Sequence, residues 1–489
     1  MPRKLRPITG THLFQRERCS RWVWLDFHED PARKLPPDAA AAARMAQGRR
    51  HEREIVAKLD VVEPHYPAND FEAGERATRE LMGSGAPLIY QGVLLGEHRV
   101  GKPDLLRRAD GGGTPRYLLG DIKASSRAKL EHAMQLAFYA DLLAASQSDG
   151  PKTAFLLLGD GREERVQLDD VEPFYREAAA EVEAMRERRH EPRAAFHVHC
   201  HGCAWRGVCL PELEARGDLS LVHGISPARR EALEEVGVHN IAQLACIEPA
   251  QLAARTELPR ETLRRLRLQA RALLDRAPHR LAPLPWKAAR IAVAAEFARH
   301  PIRGHVAEFL AYRTIAAGNG FQEQWIHESA QNPEEEGPAY RRFLSSLSLD
   351  RDAPIYHFGA ELPDTLAQLD ARHGKLNDPL PQVFARLHDV QVGIRSSLVL
   401  PILRYDLDRV AQALLGTAPE SVEPHSAETD DQSPQIRRAL AERILLVRRV
   451  RLAAARAWQS DGAASSAVSV SPEGTVASAP AAAGLQDSP

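Results

Sequence analysis

The chain has 489 residues, 64 Lys and Arg against 66 Asp and Glu, a formal net charge of −2 and 44% hydrophobic residues. That length allows about three domains, and the near-neutral balance excludes a whole-molecule basic field, so any affinity for phosphate must be local. Five Cys, no signal peptide and no apolar run long enough to span a bilayer argue against a disulfide framework or a membrane protein, and place the expected home in a reducing cytoplasm.

In chain order, Leu88-Ile89-Tyr90-Gln91-Gly92-Val93-Leu94-Leu95 is an apolar run that ends at a turn around Gly96. Pro103-Asp104-Leu105-Leu106 and Tyr117-Leu118-Leu119-Gly120-Asp121-Ile122 are two more, separated by Gly111-Gly112-Gly113. Three short strands with turn signals between them predict a meander. Alternation puts Asp121 and Lys123 on one face of the last strand and Ile122 on the other. Asp104 and Asp121 can then share Mg²⁺ or Mn²⁺, a hard ion that takes oxygen ligands, with Lys123 beside the attacked phosphate. Lys129 to Leu143 predicts a helix, with Leu130, Ala133, Met134, Ala137 and Phe138 on one stripe. Gln135 and Tyr139, four residues apart, share a face of it. An Asp-x-Lys alone reads as a surface ion pair; Gly-x-Pro-Asp upstream and Gln-x-x-x-Tyr downstream give it a nuclease reading.

Cys200, Cys203 and Cys209 form a C-x2-C-x5-C cluster, and Cys19 stands alone near the N-terminus. Four thiolates suit either Zn²⁺ or a [4Fe–4S] cluster, and His197, His199 and His201 nearby would serve zinc. Cys246 reads as a small core residue.

These motifs together resemble the RecB-like branch of the PD-(D/E)xK nucleases, over residues 9–210 most specifically. The resemblance implies a restriction-endonuclease-like α/β core with a mixed sheet. It implies that Gly48-Arg49-Arg50-His51-Glu52 is a first motif whose His51 is a metal ligand. It matches Asp104 to the central acid, Asp121 and Lys123 to the D/E-x-K pair, and Gln135 and Tyr139 to a helix motif that holds DNA and orders the site. The metal would lie on His51, Asp104, Asp121 and the Ile122 carbonyl. In the AddB and CRISPR-adaptation types, one Cys before the core and C-x2-C-x5-C after it hold an iron–sulfur cluster. That resemblance favours [4Fe–4S] over Zn²⁺ on Cys19, Cys200, Cys203 and Cys209, as a staple between the ends of a domain at 1–212.

Residues 213–280 read as compact helices. Gly224-Ile225 and Gly237-Val238 around a short helix resemble a helix-hairpin-helix, in which backbone N–H groups meet a phosphate. A helix at Glu261–Leu274 would expose Arg264, Arg265, Arg267 and Arg271. The layout of 284–458 resembles the RNase H-like exonuclease domain fused to RecB-like nucleases in a family of bacterial two-nuclease proteins. Its landmarks are a first strand at Arg290–Glu296, a hairpin with Tyr312 and Trp325, Pro354–Glu361, Leu387–Val390 and Arg404–Val410. Such a site needs about four carboxylates around two metals. Ala294 stands where the first Asp belongs, and Arg443 to Ser460 holds no acid. Glu296 and Asp389 remain, so the domain reads as a dead relic in which both are solvated or salt-bridged. Thr417–Ser433 reads as a loop and 459–489 as a disordered tail. The expected function is a metal-dependent DNA nuclease, an exonuclease on single-stranded or end-containing DNA used in repair; the rival is a DNA-binding scaffold with an idle site.

Overall fold

The computed structural model describes residues 5–37, 39–109, 116–125, 127–147, 150–159, 161–286, 292–299, 305–317, 320–349, 352–374, 379–416 and 433–465. Residues 1–244 pack as one unit, and the chain from 245 onward as a second.

The first unit opens with a two-residue strand, β1 (Ile8–Thr9), and four helices: α1 (Gly10–Arg16), α2 (Ser20–His28), α3 (Ala39–Val56) and α4 (Phe71–Gly83). Strands β2 (Leu88–Tyr90), β3 (Leu94–Gly96), β4 (Arg99–Gly101), β5 (Leu105–Arg108) and β6 (Tyr117–Lys123) follow. Then come α5 (Leu130–Gln147), β7 (Thr153–Leu158), β8 (Glu163–Gln167), α6 (Glu172–Arg186) and α7 (Arg206–Arg216). Five strands make a mixed sheet in the order β2-β5-β6-β7-β8, antiparallel throughout except for the parallel β6–β7 pair that α5 connects.

β6 is covered on both faces. On one side Leu119 joins Met134, Phe138 and Leu142 of α5 in the main core. On the other, Ile122 packs with Leu105 and Phe155 beneath Ile55 and Val56 of α3. The predicted meander is present as β2, β5 and β6, but the run Leu88–Leu95 is two strands, not one. Gln91 has φ 56°, a left-handed turn that sends β3 out of the large sheet. There it pairs with β4, whose other neighbour is β1. The glycine turn expected at 111–113 lies outside the described residues.

Helices α8 (Pro227–Glu235) and α9 (Ile241–Ala245) follow, and residues through 244 pack with the first unit. Buried Asp218 ties them in, pairing with Arg193 at 3.2 Å and Arg230 at 3.3 Å, while Ser220 Oγ accepts the Phe196 N–H at 2.8 Å. Cys246 is exposed rather than a core residue, because Leu244 and Ile247 on either side of it take the buried positions.

The second unit continues with α10 (Pro249–Thr256), α11 (Arg260–Asp275) and β9 (His279–Arg280). On α11, Arg264 and Arg271 are exposed but Arg265 and Arg267 are half-buried, so the expected basic face is narrower. Arg265 donates to the Arg395 carbonyl, and Arg271 to that of Ala245 at 3.2 Å. Next come β10 (Ala292–Arg299), β11 (Val306–Ala317), β12 (Gly320–Ser329), α12 (Pro333–Leu347), β13 (Ile355–His357) and α13 (Glu361–His373). The last elements are α14 (Leu380–Phe384), β14 (Leu387–Asp389), α15 (Val390–Ser397), β15 (Leu398–Val399), α16 (Leu407–Leu415) and α17 (Ser433–Ser465).

A five-stranded sheet has the order β12-β11-β10-β13-β14, an antiparallel meander of three strands followed by two parallel ones. Alternation sorts its faces. Val293, Ala295 and Phe297 join Phe309 and Phe343 in one core, whereas Ala294, Leu310 and Tyr312 meet Leu440 and Ile444 of α17. The α17 helix takes in Ser433, expected to end a loop, and runs through 459–465, where the sequence predicts a disordered tail; 417–432 and 466–489 lie outside the described residues. No helix among the described residues is long and apolar enough to cross a membrane.

Candidate active site

The site assembles where β5 begins and β6 ends. Leu105 pairs with Gly120, the last rung between these strands. Beyond it the Ile122 N–H has no strand partner on that side, and Asp104 Oδ2 takes it at 2.8 Å. Asp104 therefore sits in the bend before β5, not within a strand, and its carboxylate faces Asp121. Gly120 lies flat against Phe155; a Cβ there would come within 2.1 Å of the ring.

Asp121 is 1% exposed and ion-paired through Oδ2 with Lys123 Nζ, as alternation requires. That oxygen accepts no well-formed hydrogen bond. Lys123 Nζ donates to Gln135 Oε1 at 3.3 Å, and Gln135 Nε2 donates to Tyr139 Oη at 2.8 Å. The Gln-x-x-x-Tyr helix motif thus aims the lysine. Tyr139 is held in turn by close backbone: a Cβ on Gly10 or Gly101 would come within about 3 Å of its ring.

Three residues outside the predicted set, Glu52, Tyr90 and Gln91, complete the network. Gln91 Nε2 donates to Asp104 Oδ1 at 3.2 Å and to Glu52 Oε1 at 3.4 Å, and Tyr90 Oη donates to the same Glu52 oxygen at 2.9 Å. Glu52 follows His51 on α3, and of the two it is the one these hydrogen bonds join to Asp104's surroundings. His51 Nε2 is buried and has no hydrogen-bond partner. The acid at the end of the first motif was a readable signal for Glu52. Gln91 carries none, because glutamine marks neither turns nor ligands.

Burial, and next the facing Asp121 charge, push the Asp104 carboxyl well above its usual range. Burial opposes the Lys123 ammonium, but Asp121, Asp104 and Glu52 together raise its pKa on balance. His132, one turn before Gln135 on α5, is held neutral: burial and the Lys123 charge bring it down to about 4. Two carboxylates pressed together, one of them energetically averse to being charged, are what a bound cation relieves. The donors present are oxygens, which suits Mg²⁺ or Mn²⁺ and not a soft metal. Among the described residues no group of three or more His, Cys, Asp or Glu forms a ready metal cage. Mg²⁺ commonly binds through one or two carboxylates with waters and phosphate making up the rest.

The second predicted cluster is also brought together. Cys19, just before α2, and Cys200, Cys203 and Cys209 line one pocket with Trp22, Phe196, His197, His199 and Trp205. All five thiols of the chain are free. Burial pushes the Cys203 thiol up to about 12 and the Cys209 thiol up to about 11, with the neighbouring cysteines adding to both. The thiols are neutral and stand short of a preformed cage, so a metal bound here must displace their protons. The donor set fits four-thiolate ligation. His201 is not among the lining residues; its ring stands edge-on to Phe196, 5.4 Å between centroids. Trp205, fully buried, donates through Nε1 to Asp26 Oδ1 at 2.8 Å, and Lys34 Nζ pairs with the same carboxylate at 2.5 Å.

In the second unit, Glu296 is 4% exposed, so it is not solvated. Its salt bridge is with Arg443 of α17, at 3.2 Å. Burial pushes its carboxyl up to about 7. Asp389 Oδ1 accepts the N–H groups of Gln391 and Val392 at the start of α15, and that of Gly359 at 3.0 Å. It is a helix cap.

Comparison with known proteins gives one family. Residues 21–210 match the model of the PD-(D/E)XK nuclease superfamily, a stretch that contains Asp104, Asp121, Lys123, Gln135, Tyr139 and three of the four clustered cysteines. No curated protein matches the chain.

Proposed function

From a PD-(D/E)XK nuclease superfamily domain at residues 21–210, we propose that this protein is a metal-dependent DNA nuclease of the RecB-like kind, an exonuclease on single-stranded or end-containing DNA. The observation that carries the reading is the pair of facing carboxylates, Asp104 and Asp121, with Lys123 held beside them by Gln135. Asp104, Asp121 and the Ile122 carbonyl would hold Mg²⁺ or Mn²⁺, with His51 as a further ligand. When bound, the ion supplies positive charge to the phosphate and an acidified water. Lys123 would orient the attacking water and offset charge as the phosphorane forms. Gln135 and Tyr139 keep the ammonium in place, so less reorganisation is needed in the transition state. Gln91, itself bonded to Glu52, fixes the Asp104 carboxylate.

Cys19, Cys200, Cys203 and Cys209 would hold a [4Fe–4S] cluster in a reducing cytoplasm, with Zn²⁺ the lesser alternative. Residues 213–280 would add a helix-hairpin-helix contact to the DNA backbone; Gly224 and Gly237 take the left-handed conformation that such turns use. The unit at 284–458 is read as an RNase H-like relic. Its strand order and the Arg443 guanidinium on Glu296 support that reading. One assay tests the whole: purified protein on labelled single- and double-stranded DNA, with and without Mn²⁺. Metal-dependent product that is absent in Asp121→Ala is expected; DNA binding without cleavage would instead favour a scaffold.

A further inference from the structure

We propose that the α17-facing side of the β11–β12 hairpin is a base-stacking platform for single-stranded nucleic acid. β11 and β12 pair from Glu308↔Ser329 to Ala317↔Gly320. Alternation places Phe321, Glu323, Trp325 and His327 on the face that carries Leu310 and Tyr312. The inner part of this face is covered, because Leu310 and Tyr312 pack on Leu440 and Ile444 of α17. The outer part is reached by solvent: Trp325 is 45% and Phe321 48% exposed.

The tryptophan is braced rather than loose. Its ring stands edge-on to Tyr312 at 4.9 Å, and Arg448 lies 5.4 Å over the Tyr312 ring while pairing with Glu323 at 3.1 Å. Two aromatic side chains four residues apart on one strand face are separated by about 13 Å. Beside them, residues 437–458 of α17 carry seven Arg and one Glu, and even while pairing with Glu308 and Glu323 the Arg437 and Arg448 side chains stay 43% and 39% exposed. Exposed aromatic faces edged by guanidinium groups offer bases a stacking surface and phosphates a counter-charge, which is how single strands are held without sequence preference. A duplex keeps its base faces hidden and gains nothing here. The rival occupant is a second copy adding along the β12 edge, and the test below separates it.

The proposal rests on the reading of the protein as one that acts on nucleic acid. It is tested with the full-length chain and no added divalent metal, by anisotropy of a labelled 20-nucleotide oligo(dT) and of a 20-base-pair duplex. Trp325→Ala should weaken oligo(dT) binding by about tenfold or more, with Phe321→Ala in the same direction and Trp325→Phe close to wild type. Duplex affinity should not change. Equal oligo(dT) affinity in wild type and Trp325→Ala, or no binding by wild type, overturns the platform. So does a wild-type mass that doubles with concentration and reverts in Trp325→Ala. Cleavage assayed with Mn²⁺ on the same preparations separates the two readings: cleavage with unchanged binding sinks the platform alone, and binding without cleavage sinks the nuclease alone.

Discussion

The two units each bury acidic side chains against a sheet, and they treat the charge in opposite ways. In the first, Asp104 and Asp121 face one another, and the nearest cation, Lys123, is shared with Gln135. In the second, Glu296 meets Arg443 from the helix laid across its sheet, and Glu308 meets His327 at 2.6 Å and Arg437 at 3.6 Å. The first arrangement sets two facing carboxylates against one ammonium, and the surplus is met by a proton on Asp104 or by a bound cation. The second is neutralised from within, so a metal would have to displace a guanidinium. Burial alone therefore does not mark an active site; what distinguishes one is a charge the fold leaves uncompensated.

The sharpest test is the exchange of outcomes between the two clusters. Asp121→Ala and Lys123→Ala should each lower metal-dependent cleavage by at least about a hundredfold, whereas Glu296→Ala should leave the rate per folded molecule unchanged. Loss of cleavage in Glu296→Ala with retention in Asp121→Ala would reverse the assignment. Next in size, Cys203→Ser should bleach a brown, anaerobically prepared protein and lower the melting temperature of the first unit. The same unit should still fold, because Asp26, Lys34 and Trp205 join α2 to the cysteine loop without metal. Wild-type protein with stoichiometric zinc and no iron would refute the cluster.

Above pH 7, where Glu296 is ionised, Arg443→Met should destabilise the second unit by about 2–4 kcal/mol, since it strands a buried carboxylate, and Glu296→Gln in that background should recover most of the loss. If the double variant melts no higher than the single one, the pair is not what neutralises this face. The same carboxyl gives a pH signature. Its folded pKa of about 7 lies above the ordinary 4.5, so between these values the native state keeps a proton that the unfolded chain has released. Stability should be fully present below about pH 4.5 and fall as pH rises through 7, by of order 3 kcal/mol. Glu296→Gln should flatten that slope in thermal melts. Smallest of all, Asp389→Ala should cost about 1 kcal/mol, the worth of an N-cap, with no effect on cleavage.

Much of the first site is legible in the chain itself. Asp104, Asp121, Lys123, Gln135 and Tyr139 announce themselves because strand alternation and helix periodicity convert their spacing into shared faces. Lys129–Leu143 is legible as a helix for the same reason, and α5 extends it by one turn to Gln147. What periodicity does not encode is contact between distant elements. Glu52 meets Gln91 across 39 positions and Trp205 meets Asp26 across 179, and neither pair leaves a pattern in the chain. The break inside Leu88–Leu95 is hidden because every residue there suits a strand. The burial of Glu296 is hidden because its compensating Arg443 lies 147 positions later and no periodic spacing links the two.

Gln91 has one more implication. A glutamine at φ 56° sits in a conformation that costs an L-residue about 1–2 kcal/mol and a glycine almost nothing. The side chain that makes the position uncomfortable is also the one whose amide reaches Asp104 and Glu52. Resilience and turnover thus pull in opposite directions at a single residue: Gln91→Gly should yield a protein that melts later and cuts more slowly. Selection for heat tolerance alone should favour that change, and selection for cleavage should discard it.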